Sequence, residues 1–226
     1  MDDPGLDLAD HVLALRGLAR AHRLTQTTAR LWKYIKPQFN GSNHLVVMDI
    51  GCGDGLLLRQ LFKKAQRCGY ELELHACDFS ERALKLTQMA AEAEQIPITT
   101  HVLDITCDEL PLVADVVTCS LFTHHFADKD LINIFVKLRR CASRLLLVED
   151  LVRSRLGYCL CWIGCHVLSR SHVMHADGLV SVKAGFKQAE VERLVQAAGL
   201  DGAKIEKHWP ERFLVRWSPT DQTCHG

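Results

Sequence analysis

The chain has 226 residues, of which 48% are hydrophobic and 7% aromatic, and its 27 Lys and Arg side chains balance 27 Asp and Glu. A chain of this length buries enough surface for a substantial core in one or two domains. The zero net charge provides no long-range attraction to nucleic acid, and the low aromatic content argues against a stacking platform for single strands. We therefore expect no nucleic-acid partner.

The first residues and the apolar runs bear on localisation. Met1–Pro4 is acidic and is followed by a charged helical pattern, whereas a secretory signal has a basic and then an apolar region. The longest nearly uncharged apolar run, Leu156–Leu168, is shorter than the roughly 20 residues that a membrane-spanning helix needs. These features predict a cytoplasmic protein without a spanning helix.

The ten cysteines do not indicate a disulfide scaffold, because no secretory signal accompanies them. Most lie in apolar segments, where a free thiol behaves as a small hydrophobic side chain. Cys159, Cys161, Cys165 and His166 are donor types that zinc uses, but no second ligand pair follows at a suitable spacing. We expect reduced, mostly buried thiols and no metal site.

Along the chain, helical periodicity comes first and a strand–helix alternation follows. Periodic apolar residues cover 6–36, and a loop containing Pro, Gly and Ser occupies 37–43. Apolar runs then predict strands at 44–50, 71–77, 98–103, 114–120 and 144–148, separated by helices after Gly55, at 80–94 and at 129–141. A helix at 187–198 and two strands at 204–208 and 212–217, which could pair as a closing hairpin, complete the chain.

This alternation predicts a doubly wound α/β fold, with a mostly parallel seven-stranded Rossmann-like sheet and helices on both faces. Residues 153–177 interrupt the alternation after the fifth strand and are predicted as an inserted helix and loop. The run 156–168 is apolar on nearly every helical face, which predicts a helix that is buried or lies against something apolar. Ligands of such sheets bind beyond the carboxyl ends of the strands.

The strongest motif is Asp49–Gly55, with the sequence DIGCGDG, at the end of the first predicted strand. Gly51 and Gly53 allow a tight turn and a close approach of the backbone to a ligand, which the amide end of the next helix also faces. A dinucleotide fingerprint needs a further glycine where Leu56 stands. The acidic residues of the motif would repel a pyrophosphate and attract a cation. S-adenosylmethionine fits, because it carries a sulfonium and an ammonium and no phosphate.

With these motifs in order over about residues 44–150, the chain resembles the class I S-adenosylmethionine-dependent methyltransferases. The resemblance implies that the loop formed by Asp49, Gly51, Cys52 and Gly53 packs against the methionine part of the cofactor. In this family the strand ends supply the other contacts. We therefore expect S-adenosylmethionine as the cofactor.

The resemblance also implies roles for residues at three further strand ends. Asp78 matches the acid that binds both ribose hydroxyls, since a carboxylate offers two acceptors, and Phe79 is placed to lie against the adenine. Asp104 and Ile105 match the pair in which the acid accepts a hydrogen bond from the adenine amino group. Ser120 ends the fourth strand, whose carboxyl end borders the transferred methyl group in this family.

The segment after the fourth strand bears on the methyl acceptor. It lacks the Asn/Asp-Pro-Pro-aromatic turn of enzymes that methylate adenine or cytosine nitrogens. His124 and His125 stand there instead, and imidazole has a pKa suited to removing a hydroxyl proton near neutral pH. We predict that one of them is the general base, although a His-His pair also occurs in the superfamily as a structural or cofactor-contacting pair.

The insert is similar to that of small bacterial methyltransferases of the ubiquinone and menaquinone biosynthesis type, and of those acting on phenolic or polyketide lipids. Its apolar residues are expected to form a lid over an apolar aromatic acceptor; they are Leu160, Trp162, Ile163 and Val167. Shallow membrane association and plain core packing are the alternatives, the first because basic residues flank the run at Arg153, Arg155 and Arg170. His166, His172 and His175 lie in the same insert.

Together these features predict one methyltransferase domain over 1–226. Its parts are a helical cap at 1–43, a cofactor-binding core at 44–150, a substrate-side insert at 151–186, and a helix with a strand pair at 187–226. The expected reaction is O-methylation of a phenolic or polyketide-type hydroxyl. Carbon methylation of a quinone-type ring and noncatalytic binding of S-adenosylmethionine are the alternatives, and the pattern does not indicate an oligomeric state.

Overall fold

The structure is a computed structural model and describes residues 26–168 and 172–219. The first part of the predicted N-terminal helix and Arg170 lie outside the described residues. So do the side chains of His172 and His175, although the backbone there is described. The second part of the predicted helix is present as α1.

A seven-stranded sheet forms the centre of the molecule, as predicted. Its strands follow the order β3-β2-β1-β4-β5-β7-β6. The first five are parallel, and β7 runs antiparallel to both β5 and β6. The strand bounds are β1 (His44–Ile50), β2 (Glu71–Asp78), β3 (Thr99–Val102), β4 (Ala114–Ser120), β5 (Ala142–Leu151), β6 (Lys204–His208) and β7 (Arg212–Trp217).

Helices connect the strands and cover both faces of the sheet. Their bounds are α1 (Thr27–Ile35), α2 (Leu56–Arg67), α3 (Glu81–Ala93), α4 (Asp128–Cys141), α5 (Arg155–Leu168), α6 (His172–Ala184) and α7 (Gln188–Ala197). Two short 3₁₀ turns lie at Lys36–Phe39 and Thr123–His125. The predicted strands, and the predicted helices that lie between them, are confirmed to within a few residues; among the strands β5 differs most, since it begins at Ala142 and continues to Leu151.

Two apolar cores result because successive strand residues point to opposite faces. Val47 packs with α1, α2 and α3 on one face, and Met48 packs with α4 and α7 on the other. Burial of such side chains stabilises the fold by roughly 1.5–3 kcal/mol each. The strand order reverses between β1 and β4, so the crevice for a ligand is expected where these strands end.

The insert differs from the prediction of one helix and a loop, since it forms two packed helices, α5 and α6. Its base is closed by a parallel bridge between Val152 and Phe186, where Phe186 N donates to Leu151 O at 3.0 Å and Arg153 N donates to Phe186 O at 2.9 Å. The helices approach closely at Gly178, where an added Cβ would lie 2.8 Å from Cys165 Sγ. The insert is therefore a separate helical hairpin beside the strand ends.

Helix α5 is buried on part of its surface only, so plain core packing does not account for its apolar residues. Cys165 packs against α6, but Trp162 and Ile163 are each 51% exposed and Val167 is 76% exposed. The sequence pattern could not reveal this exposure. A helix that presents apolar side chains beside a binding site has the same composition as a helix buried in the core. No helix among the described residues is long and apolar enough to cross a membrane.

The cysteines are also less buried than predicted. The nine in the described residues are free thiols, and four of them are buried, namely Cys52, Cys77, Cys119 and Cys165. The buried ones on the strands point into the core, whereas the others lie on helix surfaces or in loops. Within the described ranges no group of three His, Cys, Asp or Glu side chains is arranged to hold a metal ion.

Candidate functional site

The motif after β1 forms a tight loop whose glycines adopt left-handed backbone angles. The φ values are 70° at Gly51, 57° at Gly53 and 68° at Gly55, a region that other residues rarely enter. The loop is held against β2, because the amides of Gly51 and Cys52 both donate to Cys77 O, at 2.9 and 3.2 Å. Its last glycine leads into α2, whose amide end faces the crevice.

Gly51 also lies in contact with the segment that follows β4. A Cβ added to Gly51 would lie 2.4 Å from Cδ2 of Phe122, a separation that atoms do not tolerate. The ring of Phe122 packs edge-on against Phe126, with centroids 4.9 Å apart. The glycine therefore allows the loop and the segment carrying the predicted histidines to pack directly together.

Asp78 connects the loop to the end of β2. Its Oδ2 accepts a hydrogen bond from Gly53 N, and its Oδ1 accepts one from Ser80 N, both at 3.0 Å. These bonds fix the carboxylate at the end of β2. Phe79 follows with its side chain 52% exposed, so its ring is accessible to a planar group.

Asp49 is a buried carboxylate without a cationic partner among the described residues. It is 3% exposed, and Thr118 Oγ1 donates to its Oδ1 at 2.7 Å. Burial, together with the negative charge of Asp78, raises the pKa of Asp49 to about 7 despite that hydrogen bond. A cationic ligand would stabilise the ionised form, so the ammonium and sulfonium of S-adenosylmethionine suit this site.

At the end of β3, the structure separates the two predicted residues. Asp104 is exposed, and its Oδ1 accepts hydrogen bonds from Thr106 N at 2.9 Å and Thr106 Oγ1 at 2.6 Å, which lower the pKa of Asp104. Ile105 is 2% exposed, and its side chain packs in the core. Any contact of Ile105 with a ligand would therefore involve its backbone, whereas Asp104 presents a side chain.

Ser120 and Cys52 lie deeper in the site. The Oγ of Ser120, at the end of β4, is buried and has no hydrogen-bond partner within the described part of the chain. The Cys52 side chain is buried, and burial with the nearby carboxylates of Asp49 and Asp78 raises its thiol pKa well above the ordinary value. Cys52 is therefore a neutral packing group at the floor of the loop.

His124 is joined to Asp150, a carboxylate near the end of β5. Its Nδ1 lies 2.7 Å from Oδ1 of Asp150, and its backbone N donates to Oδ2 of Asp150 at 3.1 Å. Thr123 Oγ1 donates to the same Oδ2 at 2.5 Å, and Leu151 N donates to Oδ1 at 2.7 Å. Asp150 is fully buried, and three of these hydrogen bonds fix the short turn on the end of β5, while the bond from Leu151 N holds the carboxylate against its own strand.

The charge of Asp150 determines which ring nitrogen of His124 carries the proton. Burial by itself raises the pKa of Asp150, but the hydrogen bond and charge of His124, with the hydrogen bond of Thr123, outweigh burial and lower it. An ionised Asp150 accepts the Nδ1 proton of His124, which leaves a lone pair on Nε2 in the neutral ring. This arrangement is that of a base oriented by a carboxylate.

His125 occupies a different environment from His124. Its side chain is exposed, and its ring lies with its centroid 4.2 Å from that of His124, tilted by 38°. The 3₁₀ turn directs the two side chains differently although they are consecutive. Of the two predicted histidines, His124 is the one that pairs with the buried carboxylate of Asp150.

The residues that sequence reasoning missed are Asp150, Thr118, Phe122 and Thr87. Thr87 Oγ1 donates to Gly53 O at 2.9 Å and supports the loop from α3. A signal for Asp150 did exist, because β4 and β5 are neighbouring parallel strands and residues following one strand end lie near the end of the other. Thr87 and Phe122 had no such signal, because their contacts depend on how α3 and the turn after β4 pack.

Comparison with known proteins agrees with this fold. Residues 47–144 match a family model described as a methyltransferase domain. A proposed O-methyltransferase of Nostoc punctiforme has a TM-score of 0.64 and 14% identity, covering 92% of this chain, which spans 60% of that one. No curated protein sequence matches the chain.

Two other similar structures contain the cofactor or its product. Magnesium protoporphyrin IX methyltransferase of Synechocystis, with bound S-adenosylhomocysteine, has a TM-score of 0.57 and 18% identity over 96% of this chain and 89% of that one. Human N-acetylserotonin methyltransferase, in complex with S-adenosylmethionine, has a TM-score of 0.56 and 17% identity over 86% of this chain and 54% of that one. The cofactor expected from the glycine loop is therefore the one found with this fold.

Proposed function

We propose that this chain, whose residues 47–144 match a methyltransferase domain, uses S-adenosylmethionine to methylate a hydroxyl group of a small, apolar aromatic acceptor. The observation that carries this proposal is the pairing of His124 with Asp150, with Nδ1 and Oδ1 2.7 Å apart. A hydroxyl must lose its proton as its oxygen attacks the methyl group, and an oriented neutral imidazole is suited to accept that proton.

The turn that carries His124 lies beside the loop that receives the cofactor. Phe122, two residues before His124, packs against Gly51 of the loop. Ser120 ends β4 just before this turn. The methionine part of S-adenosylmethionine would be held by the loop and the carboxylate of Asp49. An acceptor positioned over the ends of β4 and β5 would then have its hydroxyl between the methyl group and His124.

When bound, S-adenosylmethionine supplies an electrophilic methyl group on a sulfonium. Transfer of this methyl group to the acceptor oxygen would leave S-adenosylhomocysteine, with the electron pair of the broken carbon–sulfur bond on sulfur, and would require the hydroxyl to lose its proton. His124 Nε2 accepts the hydroxyl proton, and the negative charge of Asp150 stabilises the resulting imidazolium. Alignment of oxygen, methyl and sulfur can supply about 7–11 kcal/mol of the barrier reduction, and general-base catalysis about 10²–10⁴-fold in rate.

The insert supports an apolar acceptor. Helix α6 lies against the turn that contains His124, and α5 packs on α6. The exposed Trp162, Ile163 and Val167 form an apolar face on α5. We propose that this hairpin is the acceptor-side wall, and that its apolar face covers the bound ring or the alkyl groups attached to it.

The proposal is tested by identifying the product. The purified protein is incubated with S-adenosylmethionine carrying a ¹³C-labelled methyl group and with a panel of alkyl-substituted phenols, and the product is examined by NMR. We expect the carbon shift of a methyl ether. A label found on a ring carbon would instead support carbon methylation, and absence of label from every phenol would refute the phenolic acceptor.

A further inference from the structure

Glu149 is the centre of a buried charged cluster on the face of β5 opposite to Asp150. Its Oε1 accepts hydrogen bonds from Thr27 Oγ1 at 3.0 Å and from Nη1 of Arg30 and of Arg212, both at 3.1 Å. Glu149 is fully buried and Arg212 is 5% exposed. The guanidinium groups of Arg30 and Arg212, both bonded to Oε1, already compensate the negative charge of Glu149.

Three polar atoms beside this cluster are buried and have no hydrogen-bond partner among the described residues. They are Oε2 of Glu149, Oγ of Ser120 and Nε2 of His208. Ser120 is the register partner of Glu149 across β4 and β5, so the two side chains share a face, and His208 Nε2 lies 3.9 Å from Glu149 Oε1. Buried polar atoms are almost always paired, so three unpaired atoms together indicate a missing ligand.

The chemistry of the three atoms restricts that ligand. Glu149 Oε2 is a carboxylate oxygen and can only accept a hydrogen bond. Burial lowers the pKa of His208, and its Nδ1 lies 3.3 Å from Trp209 O, which places the proton on Nδ1 and leaves Nε2 as an acceptor. The ligand must therefore donate. A neutral hydroxyl suits the site better than a cation, because Arg30 and Arg212 are already adjacent.

The position of Glu149 relates this site to the reaction. Glu149 and Asp150 are consecutive on β5, so their side chains leave opposite faces of the sheet. Asp150 holds the imidazole of His124, and Glu149 presents Oε2 on the other side. Both residues lie near the carboxyl end of β5, and ligands of such sheets bind beyond the carboxyl ends of the strands.

We propose that Glu149, with Ser120 and His208, forms a subsite that binds the second, unreacting hydroxyl of a polyhydroxylated aromatic acceptor. This inference rests on the proposed O-methylation and specifies the acceptor class. Glu149 is then a specificity-determining residue. An acceptor without the second hydroxyl leaves the buried Oε2 unpaired, and such groups discriminate strongly against the incomplete ligand.

The test measures binding and does not depend on turnover. The complex of the protein with S-adenosylhomocysteine is titrated by calorimetry with 5-propylbenzene-1,3-diol and with 3-propylphenol. We expect the wild-type protein to bind the diol at least about tenfold more tightly than the phenol, the difference expected from a hydrogen bond to a charged group. In Glu149→Gln the arginines would hold the amide oxygen at the Oε1 position, so a donor would replace Oε2 and the preference should fall below about twofold.

Two further variants complete the test. Glu206→Gln is the matched control, because Glu206 is an exposed carboxylate on β6 that bonds Tyr34 outside the subsite, and it should keep the full preference. His208→Phe removes one acceptor without disturbing the arginines and should also reduce the preference, which covers the case that Glu149→Gln fails to fold.

Equal affinity of the wild-type protein for diol and phenol would overturn the subsite, since the three atoms would then bind only water, and it would leave the proposed function intact. An unchanged preference in the folded Glu149 and His208 variants would overturn it as well. Failure of both compounds to bind would contradict the phenolic acceptor itself.

Discussion

Asp150 and His124 are joined twice, by the bond between Oδ1 and Nδ1 at 2.7 Å and by the bond from the His124 amide to Oδ2 at 3.1 Å. The carboxylate thus fixes both the ring and the backbone of the turn after β4. Because the same turn packs on Gly51 through Phe122, the position of the base is tied to the cofactor loop. This relationship leads to predictions for the loop, for Asp49 and for the two histidines.

Gly51→Ala should abolish cofactor binding, because the new Cβ would meet Phe122 at 2.4 Å and the backbone φ of 70° strains any other residue. Calorimetric titration with S-adenosylmethionine measures the loss.

Gly69→Ala is the matched control, since its φ is 74° and nothing lies within 4 Å of its Cβ position. It should cost about 1–2 kcal/mol of stability and leave binding unchanged. Restored binding in Gly51→Ala combined with Phe122→Ala would confirm that the ring is the obstacle, and loss of binding in Gly69→Ala would contradict the account.

Cofactor affinity should depend on pH through Asp49. Its pKa in the free protein is about 7, and a bound cation would lower that pKa, so binding below pH 7 must release a proton. Affinity should therefore weaken as the pH falls below about 7, by up to tenfold per pH unit, and become constant above it. Asp49→Asn should bind more weakly and without this slope. Equal slopes in both proteins would show that Asp49 does not face the cofactor.

The same carboxyl group should destabilise the free protein at high pH. The folded pKa of about 7 exceeds the ordinary value of 3.8, so the folded state binds the proton more tightly than the unfolded state. The contribution of Asp49 to the unfolding free energy therefore falls between about pH 4 and pH 7, by on the order of 4 kcal/mol. Urea unfolding at pH 8 should find Asp49→Asn more stable than the wild type. A less stable variant would mean that an additional partner satisfies the carboxylate.

Loss of the carboxylate that orients His124 should reduce the rate of methyl transfer far more than loss of the His125 side chain. Asp150→Asn should reduce the rate of methyl transfer to a phenol by at least about tenfold, because an amide no longer holds the proton on Nδ1 as a carboxylate does. His125→Ala should change the rate less than threefold, since its side chain is exposed. Single-turnover measurements with saturating cofactor separate these effects from binding. The opposite ranking would assign the base to His125.

Much of the fold was predictable from the sequence. The apolar runs at 44–50, 114–120 and 212–217 coincide with β1, β4 and β7, because buried strands leave a clear apolar pattern. The insert was less predictable. Its helices are positioned by contacts such as Gly178 against Cys161 and Cys165, which no periodicity encodes.

The candidate site was predictable where a residue lies at a strand end and less so elsewhere. Asp49, Asp78 and Ser120 end their strands as expected, and each lies at the crevice. Ile105 was expected at the adenine, but its side chain packs in the core instead. The partners of Asp150 lie in the turn after β4, and those of Glu149 lie on α1 and β7, so they depend on tertiary packing that the sequence pattern does not give.

The most direct test of the central claim compares His124→Gln with the wild type on two acceptors of different acidity. The single-turnover rate is measured at pH 8 with an alkylphenol, which is largely protonated, and with its nitrophenol analogue, which is already ionised. If His124 removes the proton, the variant should be about 10²–10⁴-fold slower on the alkylphenol and nearly as fast as the wild type on the nitrophenol. An equal deficit on both acceptors, or none on either, would contradict the assignment of His124 as the base.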